Sequence, residues 1–545
     1  MPTEIELKLA LDPAAMPLLL RHAALMPLKR GRARSADVST IYFDTPGFRL
    51  QKDGVALRVR RIGKRWVQTL KGPTEPGAGL HARAEHEWPL ASGGPDLALV
   101  ATTPWKKLVT KVPQDGGLVP VCTTEFRRQT VELEFPDRTR AQLCVDRGEI
   151  RAPHAGRSRR APIAEIEIEL QDGDPANLFR LGLAFAGDLP VSVIRQSKAE
   201  RGYALRQGRS TSAPAPVRAA EVELDADVAT ADALSSIARE CLRQVAANAD
   251  GLLADEHTEW VHQMRVGTRR LRSCLSLMKP LSADAAVEPL IAEVKWLAAL
   301  LGEARDWDVF VTQTLPPLAA WFARDASAAP GIKRLRDRAA RRRRDARKAA
   351  REGVASPRFQ RLLLAAGLVS APPPIDRPGD RSDNRSDDRR ANRSDDRGTT
   401  AVVGAAACSD VAPKASVYAG KLIARRHRKF ADLASTLPHA SNDERHASRI
   451  AAKRLRYVAE FFSSLFPGKR TRTYLETLAA TQDALGEFND AVTASALAGR
   501  FSGSADAATT GAVRGWVAAQ AAAIEPRLEK ALRRFDAAKP FWLPR

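Results

Sequence analysis

The chain is poor in aromatic residues and cysteine, and it has no long apolar run. Aromatic residues make up 6% of the 545 positions, so few rings are available to stack on nucleic-acid bases. The five cysteines never stand in a CxxC spacing, which argues against a disulfide framework and a zinc site. No apolar run approaches the roughly 20 residues that cross a bilayer, and a strand-like pattern opens the chain. We therefore expect no membrane span and no secretory signal, and a reducing cytoplasm fits best.

Positive charge is the compositional outlier. The 86 Lys and Arg residues exceed the 64 Asp and Glu residues, which leaves a formal net charge of +22. Such an excess attracts polyanions, namely nucleic acid, acidic membrane surfaces or phosphate chains, and charge alone does not choose among them. A chain of 545 residues, 44% of them hydrophobic, is long enough for two to four domains with proper cores.

The first 205 residues are expected to be rich in β-structure. Segments of alternating polar and apolar residues are separated by Gly, Pro and Asp turn signals, and helical stretches are expected at 13–25, 95–111 and 175–187. Many short strands with one polar and one apolar face predict an antiparallel barrel with a polar interior. The predicted strands are 3–9, 38–43, 55–61, 65–71, 83–88, 129–135, 141–146 and 163–170.

The composition changes after a linker at 206–220. Ala, Leu, Arg and Glu then dominate with a period near 3.6, which predicts an all-α region over 221–545. A repeat at an offset of 184 residues divides this region, since His262-Gln263-Met264-Arg265 corresponds to His446-Ala447-Ser448-Arg449 (446 − 262 = 184). The same offset relates Leu301-Gly302-Glu303 to Leu485-Gly486-Glu487. We therefore expect two similar helical halves.

Two segments of biased composition lie between the halves. Residues 332–352 are strongly basic and predict a long solvated helix, with a polyanion contact as the alternative. Residues 376–397 repeat Arg-Ser-Asp-like units with almost no apolar residue, so they cannot bury enough surface to fold. A disordered insertion is therefore expected at about 372–415.

Two acidic strands, far apart in the chain, carry the clearest chemical signal. In Glu4-Ile5-Glu6-Leu7-Lys8 the charged side chains share one face and the apolar ones the other, and Glu165, Glu167 and Glu169 repeat the pattern. Carboxylates in register are what hard divalent cations such as Mg²⁺ and Mn²⁺ require. For either strand alone, an amphipathic surface strand of an antiparallel sheet is an equally good interpretation.

Cations alternate through the same region. Arg83 precedes Glu85 and Glu87 at period two, and other cations follow the same spacing or end a strand. On the inside of one barrel, such a mixture suits a metal-bound, multiply charged anion, because Arg and Lys hold phosphate oxygens while Asp and Glu hold the bridging metals. A surface sheet with interspersed charges explains single residues but not the repeated spacing. The remaining charged positions are Arg58, Arg60, Lys71, Arg127, Arg128, Asp146 and Lys198.

The ordered set of motifs in residues 1–205 resembles the CYTH family, also called triphosphate tunnel metalloenzymes. The resemblance implies an eight-stranded antiparallel tunnel that binds a triphosphate and hydrolyses its terminal phosphoanhydride with Mg²⁺ or Mn²⁺. The motifs are Glu4-x-Glu6-x-Lys8, Tyr42-Phe43-Asp44-Thr45, Leu57-Arg58-Val59-Arg60, Thr69-Leu70-Lys71, Glu165-x-Glu167-x-Glu169 and Ser197-Lys198.

The resemblance also implies roles by position. Glu4, Glu6, Glu167 and Glu169 would be metal ligands, and Asp146 would be the acidic group near the second metal and the attacking water. The phosphate contacts would be Lys8, Arg58, Arg60, Lys71, Arg128 and Lys198. Two choices stay open: which two of Glu165, Glu167 and Glu169 bind metal, and whether Arg127 or Arg128 faces the phosphates, because strand register is open by one residue.

Two basic stripes recur in the helical region. On a helix, one set of four residues falls within an arc of roughly 80°, and the equivalent set of the second half does the same. Matching stripes predict cations that converge on a shared groove, with an ordinary exposed helix face as the alternative. The stripes are His262, Arg265, Arg269 and Arg272, and His446, Arg449, Lys453 and Arg456.

The pair of stripes resembles the CHAD family over residues 221–545. This resemblance implies two four-helix halves that bind inorganic polyphosphate through the eight stripe residues, and with it an association with polyphosphate granules. Arg270 and Arg454 belong to the motif but point further round their helices.

Together these observations predict a multidomain α+β protein that acts as an inorganic triphosphatase, with a helical domain that binds polyphosphate. Adenylate cyclase, thiamine-triphosphatase or nucleoside-triphosphatase activity in the same tunnel is the alternative. No pocket for adenine or thiazolium is identifiable from sequence, and the fusion to a phosphate-chain binder favours the inorganic substrate. A non-catalytic polyphosphate-binding protein is a further alternative, although such a binder needs cations and no metal cage. A nucleic-acid partner is disfavoured by the low aromatic content.

Overall fold

The computed structural model describes most of the chain, in several stretches. The predicted insertion at 376–397 lies outside the described residues, as does nearly all of its wider range of 372–415. The described residues are 3–73, 75–76, 80–209, 215–281, 286–325, 327–374, 414–437, 440–500 and 507–543.

The N-terminal region is a closed antiparallel barrel of eight strands. Around the ring the order is β1, β9, β8, β7, β2, β3, β4 and β6, and β6 pairs with β1 to close it. The two-residue strands β5 and β10 add to β6 and β1. The strands are β1 Thr3–Ala10, β2 Lys29–Asp44, β3 Ala56–Ile62, β4 Arg65–Lys71, β5 Glu75–Pro76, β6 Leu80–Leu90, β7 Val119–Glu134, β8 Arg140–His154, β9 Arg157–Asp172 and β10 Ser192–Val193. The predicted fold class is confirmed.

Several elements differ from their predicted bounds. Strands β2 and β7 are 16 residues long, whereas the sequence predicted only 38–43 and 129–135. The first half of β2 was missed because it is exposed and lacks the alternation that marks a half-buried strand. The single helical stretch expected at 95–111 is wrong. The structure has a 3₁₀ turn at Leu97–Thr102 and a separate helix at Leu108–Gln114. The segment between them contains Pro104, whose ring removes a backbone donor.

Short helices decorate the barrel, and two of them position the interior. α4 packs outside β1. α5 begins at Lys198 with a capping box, in which the Ser197 hydroxyl accepts from the Glu200 N–H at 3.2 Å and the Glu200 carboxylate accepts from the Ser197 N–H at 2.7 Å. The helices are α1 Met16–Leu19, α2 Arg49–Lys52, α3 Leu108–Gln114, α4 Ala176–Asp188 and α5 Lys198–Arg206.

The C-terminal region is helical and repeats internally. α7 and α13 begin at equivalent positions (442 − 258 = 184), as the sequence repeat requires. Within the described residues each half has four helices of 20 residues or more: α6, α7, α8 and α10, then α12 to α15. The helices are α6 Thr230–Ala254, α7 Thr258–Met278, α8 Val287–Val309, α9 Leu315–Trp321, α10 Ala329–Ala355, α11 Pro357–Val369, α12 Ala415–Ser435, α13 Asn442–Phe461, α14 Lys469–Gly499 and α15 Ala507–Asp536.

The alternation of β1 separates an apolar outer face from a charged inner one. Leu7 and Leu9 are fully buried on the outside, in an apolar cluster that continues through α4 into the helical region. Glu6 and Lys8 point into the barrel. None of the described helices is both long and apolar enough to span a membrane.

Candidate functional site: a charged tunnel and a basic groove

The barrel encloses a cavity of about 530 Å³ lined mainly by charged side chains. Its walls come from strands on all sides of the ring, because every second residue of each strand points inward. Of the residues predicted for this site, those lining the cavity are Glu4, Glu6, Lys8, Arg58, Arg60, Lys71, Arg128, Glu167, Glu169 and Lys198. The structure thus brings together ten residues that span nearly 200 positions.

Carboxylates and lysines face one another across β1 and β9. Glu6 lies opposite Glu169 in the strand register, and Lys8 lies opposite Glu167. The Lys8 ammonium contacts Glu6 at 2.8 Å and donates to Glu167 at 3.0 Å. Two antiparallel strands therefore present four charged side chains to the same part of the cavity.

A second group of contacts joins β1 to β4 and β6. Lys71 binds the Glu4 carboxylate at 2.7 Å and Glu85 at 3.1 Å. Arg83 bridges the two N-terminal glutamates, with its Nε 3.1 Å from Glu4 and its Nη2 3.0 Å from Glu6. Every carboxylate of β1 is therefore matched by cations of β1, β4 or β6.

A third group closes the cavity near α5. Arg128 makes a two-pronged contact with Asp146, with both distances 2.7 Å, and also reaches Glu167. Lys198 contacts Asp146 at 2.9 Å and both Glu165 and Glu167 at 2.8 Å. Asp146, predicted as the acidic group near the second metal and the attacking water, does not line the cavity and is fully buried behind these two cations.

The structure gives the positions of the residues between which the sequence left two choices open, namely the arginines of β7 and the glutamates of β9. β7 pairs Arg128 with Asp146 and turns Arg127 outward, where it is exposed. Among the later glutamates, Glu167 and Glu169 line the cavity, whereas Glu165 is buried beyond it against Lys198 and Arg201.

Burial and neighbouring charges shift the ionisation of the interior groups. Burial and the negative charges of Glu4 and Glu6 raise the pKa of Glu169 to about 7. Burial would also raise the pKa of Glu167, but Lys198, Lys8 and Arg128 outweigh it and hold this pKa well below its ordinary value. Burial and the charges of its cationic neighbours lower the pKa of Lys71 to about 8. Carboxylates and cations are therefore interleaved in the cavity, and their charges shift one another's ionisation.

Four of the carboxylates that line the cavity suit a hard divalent cation. Glu4, Glu6, Glu167 and Glu169 offer carboxylate oxygens to one cavity, and oxygen ligands are those that Mg²⁺ and Mn²⁺ prefer. Within the described stretches, no three acidic, His or Cys side chains converge as closely as a formed metal site requires. Lysine and arginine neutralise the carboxylates instead, so metal binding would rearrange these ion pairs.

Some interior residues were missing from the predicted set. Arg83 and Glu85 line the cavity and contact Glu4 directly or through Lys71, and their period-two spacing in β6 was the available signal. Arg34 and Arg65 lie at the cavity wall as exposed side chains. Arg34 stands in the period-two run Arg30-Gly31-Arg32-Ala33-Arg34, which was an available signal, whereas Arg65 belongs to no such run and only the pairing of its strand reveals its position.

A second cavity, of about 500 Å³, lies between the helical halves. Six of the eight predicted stripe residues line it: His262, Arg265, Arg269, His446, Arg449 and Lys453. Arg456 lines a neighbouring cavity of about 910 Å³, and Arg272 is exposed and lies apart from this groove. Arg270 is buried and binds Glu460 of the other half at 2.7 Å, whereas Arg454 is exposed.

The basic side chains of the groove lower one another's pKa values. Burial and the charges of Arg269, Arg449 and Arg265 lower the pKa of Lys453 to about 6. Burial and neighbouring arginines lower the pKa of His262 to about 4 and that of Arg265 to about 10. An anion bound here would relieve this repulsion.

Comparison with known families matches both regions. The CYTH domain model matches residues 2–203, the region of the charged barrel. The CHAD domain model matches residues 236–499, which contain both basic stripes. The chain therefore carries a CYTH domain followed by a CHAD domain.

The relatives follow the same division. An inorganic triphosphatase of Haemophilus influenzae is 29% identical over 204 residues, which are 37% of this chain and 54% of that protein, so about half of the relative is matched. The CHAD domain structure from the plant Ricinus communis is 28% identical with a TM-score of 0.45, covering 59% of this chain and 97% of its own. The Hippeastrum protein HpAC1, described as having a dominant triphosphatase activity, is 22% identical with a TM-score of 0.27 and covers 38% of this chain and 97% of its own.

Proposed function

We propose that the barrel hydrolyses inorganic triphosphate to diphosphate and phosphate, with Mg²⁺ or Mn²⁺ as cofactor. The observation that carries the proposal is the cavity of the barrel, which is lined by seven glutamates and nine Lys and Arg residues. A polyanion binder would need only the cations. The matched Haemophilus influenzae protein, an inorganic triphosphatase, supports the same substrate class.

The cationic residues of the cavity are proposed to bind the phosphate groups. Lys8, Arg58, Arg60, Lys71, Arg128 and Lys198 would hold phosphate oxygens and neutralise the charge that develops as the terminal phosphorus is transferred. Arg60 is well suited to binding phosphate, because its Nε donates to the uncharged Thr40 hydroxyl, at 3.2 Å, and not to a carboxylate. Asp146 orients Arg128 and Lys198 from behind.

Glu4, Glu6, Glu167 and Glu169 would hold the metal. When bound, a divalent cation polarises phosphoryl oxygens and lowers the pKa of a bound water. In the overall reaction, a water oxygen bonds to the terminal phosphorus, the bond from that phosphorus to the bridging oxygen breaks, and diphosphate leaves. Burial of Glu6, Lys8 and Lys71 in the barrel keeps these interactions strong.

Phosphate release from triphosphate, ATP and thiamine triphosphate, with and without Mg²⁺ or Mn²⁺, tests this proposal. The double variant Glu4→Gln/Glu6→Gln should lose at least about 100-fold in kcat/KM, because it removes the charge of two metal ligands and keeps their shape. Glu125→Gln, on the exposed outer face of β7, is the control. Metal-independent release, or equal rates in the double variant, would refute the tunnel mechanism. Faster turnover of ATP or thiamine triphosphate would make the alternative substrates the better ones.

For the helical domain we propose binding of inorganic polyphosphate in the groove between the halves. The support is the convergence of six basic side chains from two equivalent helices on one cavity, where burial and neighbouring arginines lower the pKa of Lys453 to about 6 and that of His262 to about 4. Polyphosphate affinity should fall at least about tenfold in Arg265→Ala/Arg449→Ala. Arg272→Ala, a stripe residue outside the groove, should bind normally. If DNA displaced polyphosphate at a comparable concentration, selectivity for phosphate chains would be refuted. The proposed association with polyphosphate granules depends on this binding.

A further inference from the structure

The segment that leads into α5 connects the domain interface with the tunnel. Ser192 and Val193 pair with β1, and the Ile194 N–H donates to the Lys8 carbonyl at 2.9 Å. Four residues later Lys198 reaches Asp146 and Glu167 inside the barrel. The position of the Lys198 ammonium therefore depends on how this short segment is held.

Two side chains of the helical domain hold the segment. Gln360 of α11 accepts a hydrogen bond from the Val193 N–H at 3.0 Å in a buried position. Asp250 of α6 accepts from the Arg195 guanidinium through both oxygens, with the Nε contact at 3.1 Å. A two-pronged, charge-assisted pair fixes orientation as well as distance.

The same domain also backs the tunnel wall. α11 lies against α4, and α4 lies against β1. The contact is close at two glycines: a Cβ added at Gly182 would lie 3.0 Å from Leu7 and 3.3 Å from Leu364, and one added at Gly367 would lie 2.1 Å from Phe179. Leu7 lies between Glu6 and Lys8, so helices from both domains support the strand that carries these two groups.

A cavity of about 730 Å³ remains beside the segment, lined by Arg195, Arg201, Asp250 and Glu165. The pairing with β1 holds residues 192–194, and beyond them Arg195 borders this cavity, where its ion pair with Asp250 supplies a further restraint. We infer that Asp250 and Gln360 are positioning residues for Lys198, so that the helical domain sets the phosphate-binding geometry of the tunnel. The inference rests on the proposed triphosphatase function.

Charge reversal in the full-length protein tests the inference. Asp250→Arg places two cations together and should lower kcat/KM for triphosphate by about tenfold or more, because small displacements of a catalytic-site group cost that much. The exchanged pair Arg195→Asp/Asp250→Arg should recover most of the loss. Gln360→Leu should lower kcat/KM in the same direction. Glu293→Gln, which breaks an ion pair to Arg358 within the helical domain, is the matched control.

Hydrogen exchange of the amides in 193–206 supplies a readout that does not depend on turnover. Exchange should accelerate in Asp250→Arg and return in the exchanged pair. Wild-type kcat/KM together with wild-type exchange in folded Asp250→Arg and Gln360→Leu would overturn the inference. If the wild-type protein released no phosphate, the triphosphatase proposal would fail, and exchange together with calorimetric binding of triphosphate would still decide the positioning role. Unchanged exchange and unchanged affinity in that case would also overturn it.

Discussion

Lys453 makes polyphosphate binding in the helical groove a proton-linked reaction. Its pKa of about 6 in the empty groove follows from burial and from the charges of Arg269, Arg449 and Arg265. At pH 8 a lysine with this pKa is only about 1% charged. We expect a phosphate chain in the groove to supply the missing negative charge and to raise the pKa of Lys453 toward the ordinary value of lysine. Binding at pH 8 should therefore take up close to one proton per groove through Lys453.

Calorimetry of polyphosphate binding in buffers of different ionisation enthalpy measures this proton number. Lys453→Met removes the titrating group, and Lys453→Arg keeps a permanent cation that does not titrate in this range. We expect wild type to exceed both variants by about one proton, and Lys453→Arg to retain affinity while Lys453→Met loses it. The polyphosphate ends also titrate, but they contribute equally in all three proteins.

The sign of the pH dependence follows from the direction of the shift. Since the empty groove binds fewer protons than the complex between about pH 6 and the pKa of the bound state, affinity should weaken by up to about tenfold per pH unit as pH rises in that window. Without ligand, the pKa of Lys453 is lower in the folded protein than in the unfolded chain. Lys453 therefore destabilises the folded protein most at and below about pH 6, and this destabilisation decreases as the pH rises toward the pKa of the unfolded chain. Equal proton numbers in wild type and both variants would refute the reasoning.

Three further predictions concern stability. Arg83→Met removes a cation that Glu4 and Glu6 share and should lower the free energy of unfolding, measured in urea with metal chelated, by about 3 kcal/mol. Arg151→Met, at a half-exposed ion pair, should lower it by under about 1 kcal/mol. Equal losses in the two variants would contradict the ion-pair network. Gly148→Ala would place a Cβ 2.0 Å from the Glu125 carbonyl and should destabilise the barrel by about 3 kcal/mol. Gly515→Ala, which meets open space in α15, should instead raise stability by about 0.5–1 kcal/mol, and a loss there would contradict the described packing.

Part of the site could be predicted because it depends only on local geometry. Glu4, Glu6 and Lys8 share a face of β1 because a strand alternates its side chains, whatever the strand pairs with. His262, Arg265 and Arg269 share a helix face for the same kind of reason. Arg272 shows the limit of the argument: its angle on the helix matches the stripe, but it is exposed one turn beyond the residues that line the groove.

Composition and local periodicity alone determined the charge excess, the barrel and helical classes, the repeat of 184 residues and the faces of the charged strands. Tertiary structure decided what those faces meet: Glu6 opposite Glu169, Arg128 opposite Asp146, and Arg83 between Glu4 and Glu6. It also decided that Asp250 and Gln360 of the helical domain reach the segment before Lys198. The reason is physical, because alternation fixes the direction of a side chain within its strand, whereas register and domain packing are cooperative choices among residues distant in sequence.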